Sequence, residues 1–493
     1  MISTEQLYQT LKQHFRFTDF RAGQLDALTA LSAGQNTLAV LPTGAGKTLI
    51  YELYGVVTQK LVLIVSPLIS LMQDQVTALT VKGEKRAAAL TSLMTYSEKN
   101  WVLRHLSEYR FLFVSPEMLS QDQILSAFQR VQIGLLVVDE AHCISTWGPD
   151  FRPEYLLLGQ IRHQLGDPLT LMATATATQH VRDDIKQKLQ LPQATEIVEP
   201  VDRQNIFLSV ERFDTQNDKN DRLIELVAKL KKPGVVYFSS KKKANEMAEL
   251  LTAKTNSKVA AYHADLDPET RFKVQQQFMQ DQLDVICATS AFGMGIDKNN
   301  VRFVIHYHVP SDVESYWQEI GRAGRDGEQS VAILLYQSGD EQIAQFLSEA
   351  TIPQDNEIHY YFQQNAPQIA GDEKANLIWF YKQHGYREDQ LQAAFAKRRE
   401  QRLLALRKMM GYLRTTACKR RYIQAYFDQL KGDDHLPKHC CSSDEPQPDF
   451  KGLGLLASTA DSAAANDPQN SNTEWQAILT RLFNFAGHQS GAL

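Results

Sequence analysis

Two short stretches of this chain have residue types and spacings that could do chemistry on a phosphate ester. LPTGAGKT, residues 41–48, sets two glycines, a lysine and a threonine between the apolar run NTLAVL and the helix-like LIYELYGVV. A strand, a glycine turn and a helix start together make a phosphate cradle, because backbone N–H groups approach the oxygens and the helix terminus adds positive potential. In that arrangement Thr43, Gly44, Ala45 and Gly46 line the loop and Lys47 meets the β and γ phosphates. Thr48 then offers its hydroxyl to Mg²⁺. Leu41 stands where the strict pattern has glycine. The companion is GLLVVDEAH, residues 134–142, an apolar run that delivers Asp139 and Glu140 at its C-terminal end, where open α/β sheets bind ligands. Asp139 suits Mg²⁺, and Glu140 suits a water to be oriented or deprotonated. The pair predicts hydrolysis of a nucleoside triphosphate.

A third stretch, YWQEIGRAGRDG at 316–327, spaces Arg322 and Arg325 three apart, so that one helical turn points both the same way. Arginines from a second domain stabilise charge on a transferred phosphoryl group once the domains close. A solvated helix with salt bridges is the bland alternative, and glycines at 321, 324 and 327 make it a poor helix.

These residues need a scaffold. NTLAVL, KLVLIVS, RFLFVS, GLLVVD and LTLMAT alternate with helix-length segments up to about residue 200. PGVVYFS, KVAAYH, DVICAT, RFVIHY and SVAILLY repeat the rhythm after 230. That pattern predicts two α/β domains with parallel sheets, residues 1–205 and 206–340, joined near 200–220. Beyond 340 Leu403, Leu406, Met410 and Leu413 recur at helical spacing, so 341–450 is expected to be helical. Residues 451–493 read as a flexible linker and a short closing helix, TEWQAILTRLFNF.

The totals agree with a soluble, multidomain protein. Of 493 residues 43% are hydrophobic and 22% charged, and no apolar run is long enough to cross a bilayer. Five scattered cysteines argue for a reducing cytoplasm rather than a disulfide framework. A net charge of −5 leaves polyanion binding to local patches. One such stretch, 396–426, holds ten Lys or Arg against Glu400, with Tyr412, Tyr422 and Tyr426 interleaved. It reads as a solvated helix face or as a DNA surface.

LPTGAGKT, SPLISLMQDQV, SPEML, DEAHCISTWGPDFRPEY, ATATAT, FGMGIDK and QEIGRAGRDG occur in the order found in superfamily 2 helicases. AHCISTWGPDFRPEY and the N-terminal LKQHFRFTDFRAGQ narrow the resemblance to the RecQ family of DNA helicases, over residues 1 to about 445. The resemblance implies two tandem RecA-like domains followed by a degenerate, mainly helical zinc-binding-type subdomain. It implies an ATP- and Mg²⁺-dependent enzyme that moves 3′→5′ on single-stranded DNA and unwinds tailed or forked duplex in repair and recombination. Rival readings are a non-unwinding DNA-dependent ATPase and an RNA helicase. The expected setting is a bacterial cytoplasm, at the nucleoid, as a monomer, with the tail as a candidate hook for a protein partner.

Residue by residue, the resemblance makes Gln24 the adenine reader, with Phe20 and Arg21 beside it, and puts Arg16 where the family has glycine. It places His142, Trp147, Phe151 and Arg152 in a loop that senses single-stranded DNA. Asp297 becomes a domain-coupling residue, and Gln318 joins Arg322 and Arg325 on the second wall of the ATP site. Lys241, Lys242 and Lys243 stay unassigned. Few accessory residues follow 445, too few for the winged helix of longer relatives. The stretch KHCCSSDEP falls where the family carries zinc-binding cysteines. Cys418 and Cys440 fit the first two positions, and Ser443 and Pro446 occupy the others. A site could be rebuilt from Cys418, Cys440, Cys441 and either His439 or Asp444, but Zn²⁺ wants four good ligands, and the remnant of a site is the favoured expectation.

Overall fold

A computed structural model describes residues 2–146, 152–293, 298–364, 372–430, 440–443 and 448–457. Seven strands form the first sheet: β1 (Thr37–Val40), β2 (Leu61–Val65), β3 (Ala87–Leu90), β4 (Phe111–Val114), β5 (Ile133–Val138), β6 (Thr170–Thr174) and β7 (Thr195–Val198). They pair in parallel in the order β3-β4-β2-β5-β6-β1-β7. The runs are nearly continuous in apolar residues because both faces are covered. Leu38, Leu63, Leu112 and Leu136 enter one core, and their neighbours Ala39, Ile64, Phe113 and Val137 enter the other.

The second sheet comprises β8 (Ile206–Phe213), β9 (Gly234–Tyr237), β10 (Val259–Tyr262), β11 (Val285–Ala288), β12 (Phe303–His306) and β13 (Ser330–Gln337). It is also parallel, in the order β10-β11-β9-β12-β13-β8. Three strands were not expected from the sequence: β3, β7 and β8. All three are edge strands, and β3 and β7, with the sequences AAAL and TEIV, carry small or polar residues because a sheet edge buries less. Strand β8 lies inside the segment read as a connection.

Among the described residues no strand follows Gln337, as expected, and the longest helix is Glu388–Arg414. Its Leu406, Met409, Met410 and Leu413 share one core with Val304, Ala332 and Leu334, so this helix packs on a face of the second sheet. A smaller core around Ile358, Ile378, Leu391 and Phe395 also takes in Leu156 of the first sheet's domain. Residues 451–457, expected to open a flexible linker, are packed instead. Phe450, Leu453 and Leu455 pack under the second sheet, Lys231 N–H donates to the Leu455 carbonyl at 2.8 Å, and Ala457 N–H to Lys229 at 2.9 Å. The closing helix expected over TEWQAILTRLFNF lies outside the described residues.

Candidate active site

β1 ends at Val40, and the chain turns through the loop before the helix Lys47–Thr58. Gly44 and Gly46 hold φ values of 84° and 75°, which L side chains rarely adopt, so the loop needs glycine at both. Lys47 Nζ donates to the Leu41 carbonyl at 3.3 Å and lies folded over the cradle. Gln24 is 2% exposed, and both ends of its amide are used. Its Nε2 donates to the carbonyls of Ala45 and Gly46 at 2.8 and 3.0 Å, and its Oε1 accepts from Arg21 N–H at 2.9 Å. Arg21 also donates to the Gly44 carbonyl, and Phe20 stacks edge-on to Tyr8 at 5.0 Å. Two of the three residues expected at the base, Gln24 and Arg21, thus brace the phosphate loop, and Phe20 packs beside them on Tyr8.

β5 delivers the acidic pair. Glu140 sits at φ 48°, a left-handed backbone costing on the order of 1–3 kcal/mol, a strain that is characteristic of functional turns. Its Oε2 lies 3.3 Å from His142 Nδ1, and that nitrogen is 3.0 Å from Thr174 Oγ1. Thr174 donates its own proton to the Thr176 carbonyl, so its oxygen accepts and Nδ1 carries the hydrogen. Burial pushes the Glu140 carboxyl up, but His142, Lys47 and Arg322 together outweigh it and hold the group low. Asp139 moves the other way, pushed up by burial and by Glu140 beside it. A divalent cation would relieve that burden, so the donors present, Thr48 and Asp139, fit Mg²⁺.

The second wall comes from the helix Val313–Ile320 and the turn after it. Glu319 pins this helix to β12 through His306 Nε2 at 2.7 Å, and Gln318 lies partly exposed on its last turn. Arg322 is buried, lies near enough to Glu140 to lower its pKa, and leaves its Nε without a hydrogen-bond partner. Arg325 runs across the phosphate loop: a Cβ on Gly44 would meet its Cγ at 3.5 Å. The two walls expected from sequence therefore face each other. Unsatisfied buried Nε of Arg322 and a glycine cradle are what a polyphosphate would fill.

His142 and Arg152 flank the aromatic loop, and Arg152 pairs with Glu117 at 3.1 Å. Trp147, Phe151 and Asp297 lie outside the described residues. Thr146, at the loop's near end, receives a hydrogen bond from Arg398 of the long helix.

The basic stretch 396–426 divides into cations tied into the fold and cations left exposed, so neither of its two readings covers all of it. Arg420 is fully buried, pairs with Asp202 and donates to the carbonyls of Arg203 and Ile206 at 3.0 and 2.6 Å. Lys419 Nζ caps the long helix through Tyr412, Leu413 and Thr415 carbonyls at 3.0, 3.2 and 2.7 Å. Arg399 and Arg402 tie to Pro353 and Ser348 carbonyls at 2.8 and 3.0 Å. Lys397, Arg407, Lys408 and Arg414 are exposed.

Cys418, Cys440 and Cys441 bring their sulfurs within 4.8 Å of one another. Cys440–Ser442 pair along the outer edge of β8, with Ser442 N–H donating to Leu208 at 2.8 Å. Ser443 spends its hydroxyl on the Ala417 carbonyl at 2.7 Å, and His439, Asp444 and Pro446 lie outside the described residues. Three thiols do not complete the four-ligand shell of a structural zinc.

Sequence reasoning missed Arg203, Asn205 and Thr174. A charged DRQN in the linker was the available signal for the first two, and the motif ATATAT, which contains Thr174, for the third.

Residues 21–184 match the DEAD/DEAH box helicase family and 218–327 the helicase conserved C-terminal domain. The chain is 42% identical over 453 residues to the probable ATP-dependent DNA helicase RecS of Bacillus subtilis, covering 88% of this chain and 91% of that protein. It is 34% identical to the ATP-dependent DNA helicase RecQ of the same organism, covering 86% of this chain and 64% of RecQ. The fold is similar to that of the Mycobacterium smegmatis helicase Lhr bound to ssDNA and AMP-PNP, with a TM-score of 0.56 at 22% identity over 69% of this chain and 49% of that one. With its two parallel-sheet domains and its ordered motifs, this chain belongs to the RecQ family of superfamily 2 ATP-dependent DNA helicases.

Proposed function

We propose that this chain hydrolyses ATP in the cleft between its two sheets and uses the cycle to move 3′→5′ along single-stranded DNA and unwind tailed or forked duplex, serving repair and recombination. The observation that carries the reading is the position of Arg322 and Arg325 against the phosphate loop and Glu140. Lys47 binds the β and γ phosphates; Gln24 and Arg21 brace the loop, and with Phe20 they are assigned to the side of the cleft where the base would lie. Thr48 and Asp139 would hold Mg²⁺, which when bound would supply neutralisation of phosphate charge. Glu140, kept ionised by its cationic neighbours, accepts a proton from the attacking water or orients it. Arg322 and Arg325, with Gln318 beside them, meet the charge that develops on the transferred phosphoryl group.

Glu140 is linked through His142 to Thr174 and leads directly into the aromatic loop, so DNA on Trp147 and Phe151 can act on the hydrolytic carboxylate. Stacking on those rings is tolerant of base sequence. Asp297 is assigned to coupling between the domains, and Arg152 to holding the loop's far end. The names of the relatives support DNA over RNA. The test is unwinding of matched duplexes carrying a 3′ or a 5′ single-stranded tail, DNA or RNA. ATP-dependent opening of the 3′-tailed DNA is expected, and preference for a 5′ tail or for RNA would overturn the assignment.

A further inference from the structure

The connection between the two sheets carries an arginine that touches both walls of the cleft. Arg203 Nη2 donates to the carbonyls of Ala323 and Gly324 at 3.1 and 2.6 Å. Its Nη1 donates to Gly321 at 3.3 Å and, across the cleft, to Thr43 of the phosphate loop at 3.5 Å. Three of the four acceptors belong to the turn that bears Arg322 and Arg325. The fourth belongs to the loop those arginines face. Asn205 adds a second hold on Gly324 at 2.8 Å and one on Glu328 at 2.9 Å.

The backbone that presents Arg203 is itself fixed. Trp317 Nε1 donates to the Val201 carbonyl at 3.1 Å, Gln429 Oε1 accepts from Val201 N–H at 2.7 Å, and Arg420 holds Asp202 and the Arg203 carbonyl. These partners come from the second domain and the helical region. Arg203 therefore moves with the arginine turn, and its contact with Thr43 is the longest of the four and the one that domain opening must break. A planar guanidinium can bridge two sets of carbonyls at once, which an ammonium cannot do from one position.

We propose that Arg203 is a positioning residue for ATP hydrolysis, a strut in the linker that sets where Arg322 and Arg325 stand on the phosphate loop when the cleft closes. This rests on the reading of the cleft as an ATP site. It touches no reacting atom. Its loss should therefore leave nucleotide binding in place and weaken the closed state in which both walls act.

The experiment compares wild-type, Arg203→Lys, Arg203→Gln and Arg203→Ala chains in ATP turnover with single-stranded oligo-dT. Affinities for ADP and for ADP with aluminium fluoride are measured on the same preparations. For Arg203→Ala a fall in kcat of about 100-fold is expected, with KM for ATP within about threefold. The preference for the aluminium fluoride complex should fall in parallel, a readout that a stability defect in an otherwise folded chain does not move. Arg203→Lys should fall about 10-fold, being able to serve one set of carbonyls. If Arg203→Lys and Arg203→Gln keep wild-type kcat and analogue preference, the inference is overturned, even if Arg203→Ala does not fold. Should the wild-type chain itself fail to hydrolyse ATP, the reading of the cleft falls instead.

Discussion

Arg325 lies across Gly44, so close that a Cβ on the glycine would meet the arginine's Cγ at 3.5 Å. One residue belongs to the turn after the helix Val313–Ile320 and the other to the loop after β1, so the cleft is shared between two sheets. Chemistry that needs both walls can be switched by their separation, and this gives nucleotide turnover a route to movement.

Removing either arginine should therefore spare binding and damage catalysis. Arg322→Ala and Arg325→Ala are expected to lower kcat about 100- to 1,000-fold with small changes in KM for ATP. Steady-state turnover with single-stranded DNA checks this. A rise in KM with kcat unchanged would place the arginines in ground-state binding.

The two basic classes on the helical region should separate in their effects. Arg420→Met breaks a buried pair with Asp202 and should cost about 3–5 kcal/mol in urea unfolding. Lys397→Gln with Arg407→Gln, both exposed, should leave stability unchanged. That pair should weaken DNA binding and reduce the slope of log affinity against log salt by up to about 2. An unchanged slope would remove these residues from the DNA surface.

Glu314 gives a pH signature. Burial and Asp312 push its carboxyl up to about 7. The folded chain then keeps a proton that the unfolded chain releases near pH ~4.3. Between those values the folded state binds more protons, so this group's contribution declines as pH rises through the window and is lost above 7. Glu314→Gln should raise Tm at pH 8, by on the order of 1 kcal/mol of stability, and do little at pH 4.5. Equal effects at both pH values would show that Glu314 ionises normally.

Much of this was legible in sequence because the signal was local. NTLAVLPTGAGKT and GLLVVDEAH each encode a buried strand and the residues it presents, and the structure places both at one sheet end. Composition could not tell that Arg420 and Lys419 are buried, since a cation's burial depends on which carbonyls the fold brings to it. Gln24 was read through the base it would contact, yet its amide is spent on Ala45 and Gly46, a contact 21 and 22 residues away in sequence. β8 escaped because Ser209, Glu211 and Arg212 interrupt its apolar run at a sheet edge. Arg203 escaped because its partners are carbonyls, which carry no residue type.

The cysteine cluster is expected to hold its loop without zinc. Pairing of Cys440–Ser442 with β8 and the Lys419 and Arg420 anchors already fix this region. Purified chain should carry well under one zinc, and a chelator should leave Tm unchanged. Stoichiometric zinc whose removal unfolds the helical region would contradict this.

ATP turnover by the wild-type chain and by Lys47→Ala, each with and without single-stranded DNA, tests the shared cleft most directly. The wild type should hydrolyse ATP with stimulation by DNA, and a folded Lys47→Ala chain should show turnover reduced at least about 100-fold under both conditions. Normal turnover in Lys47→Ala would contradict it.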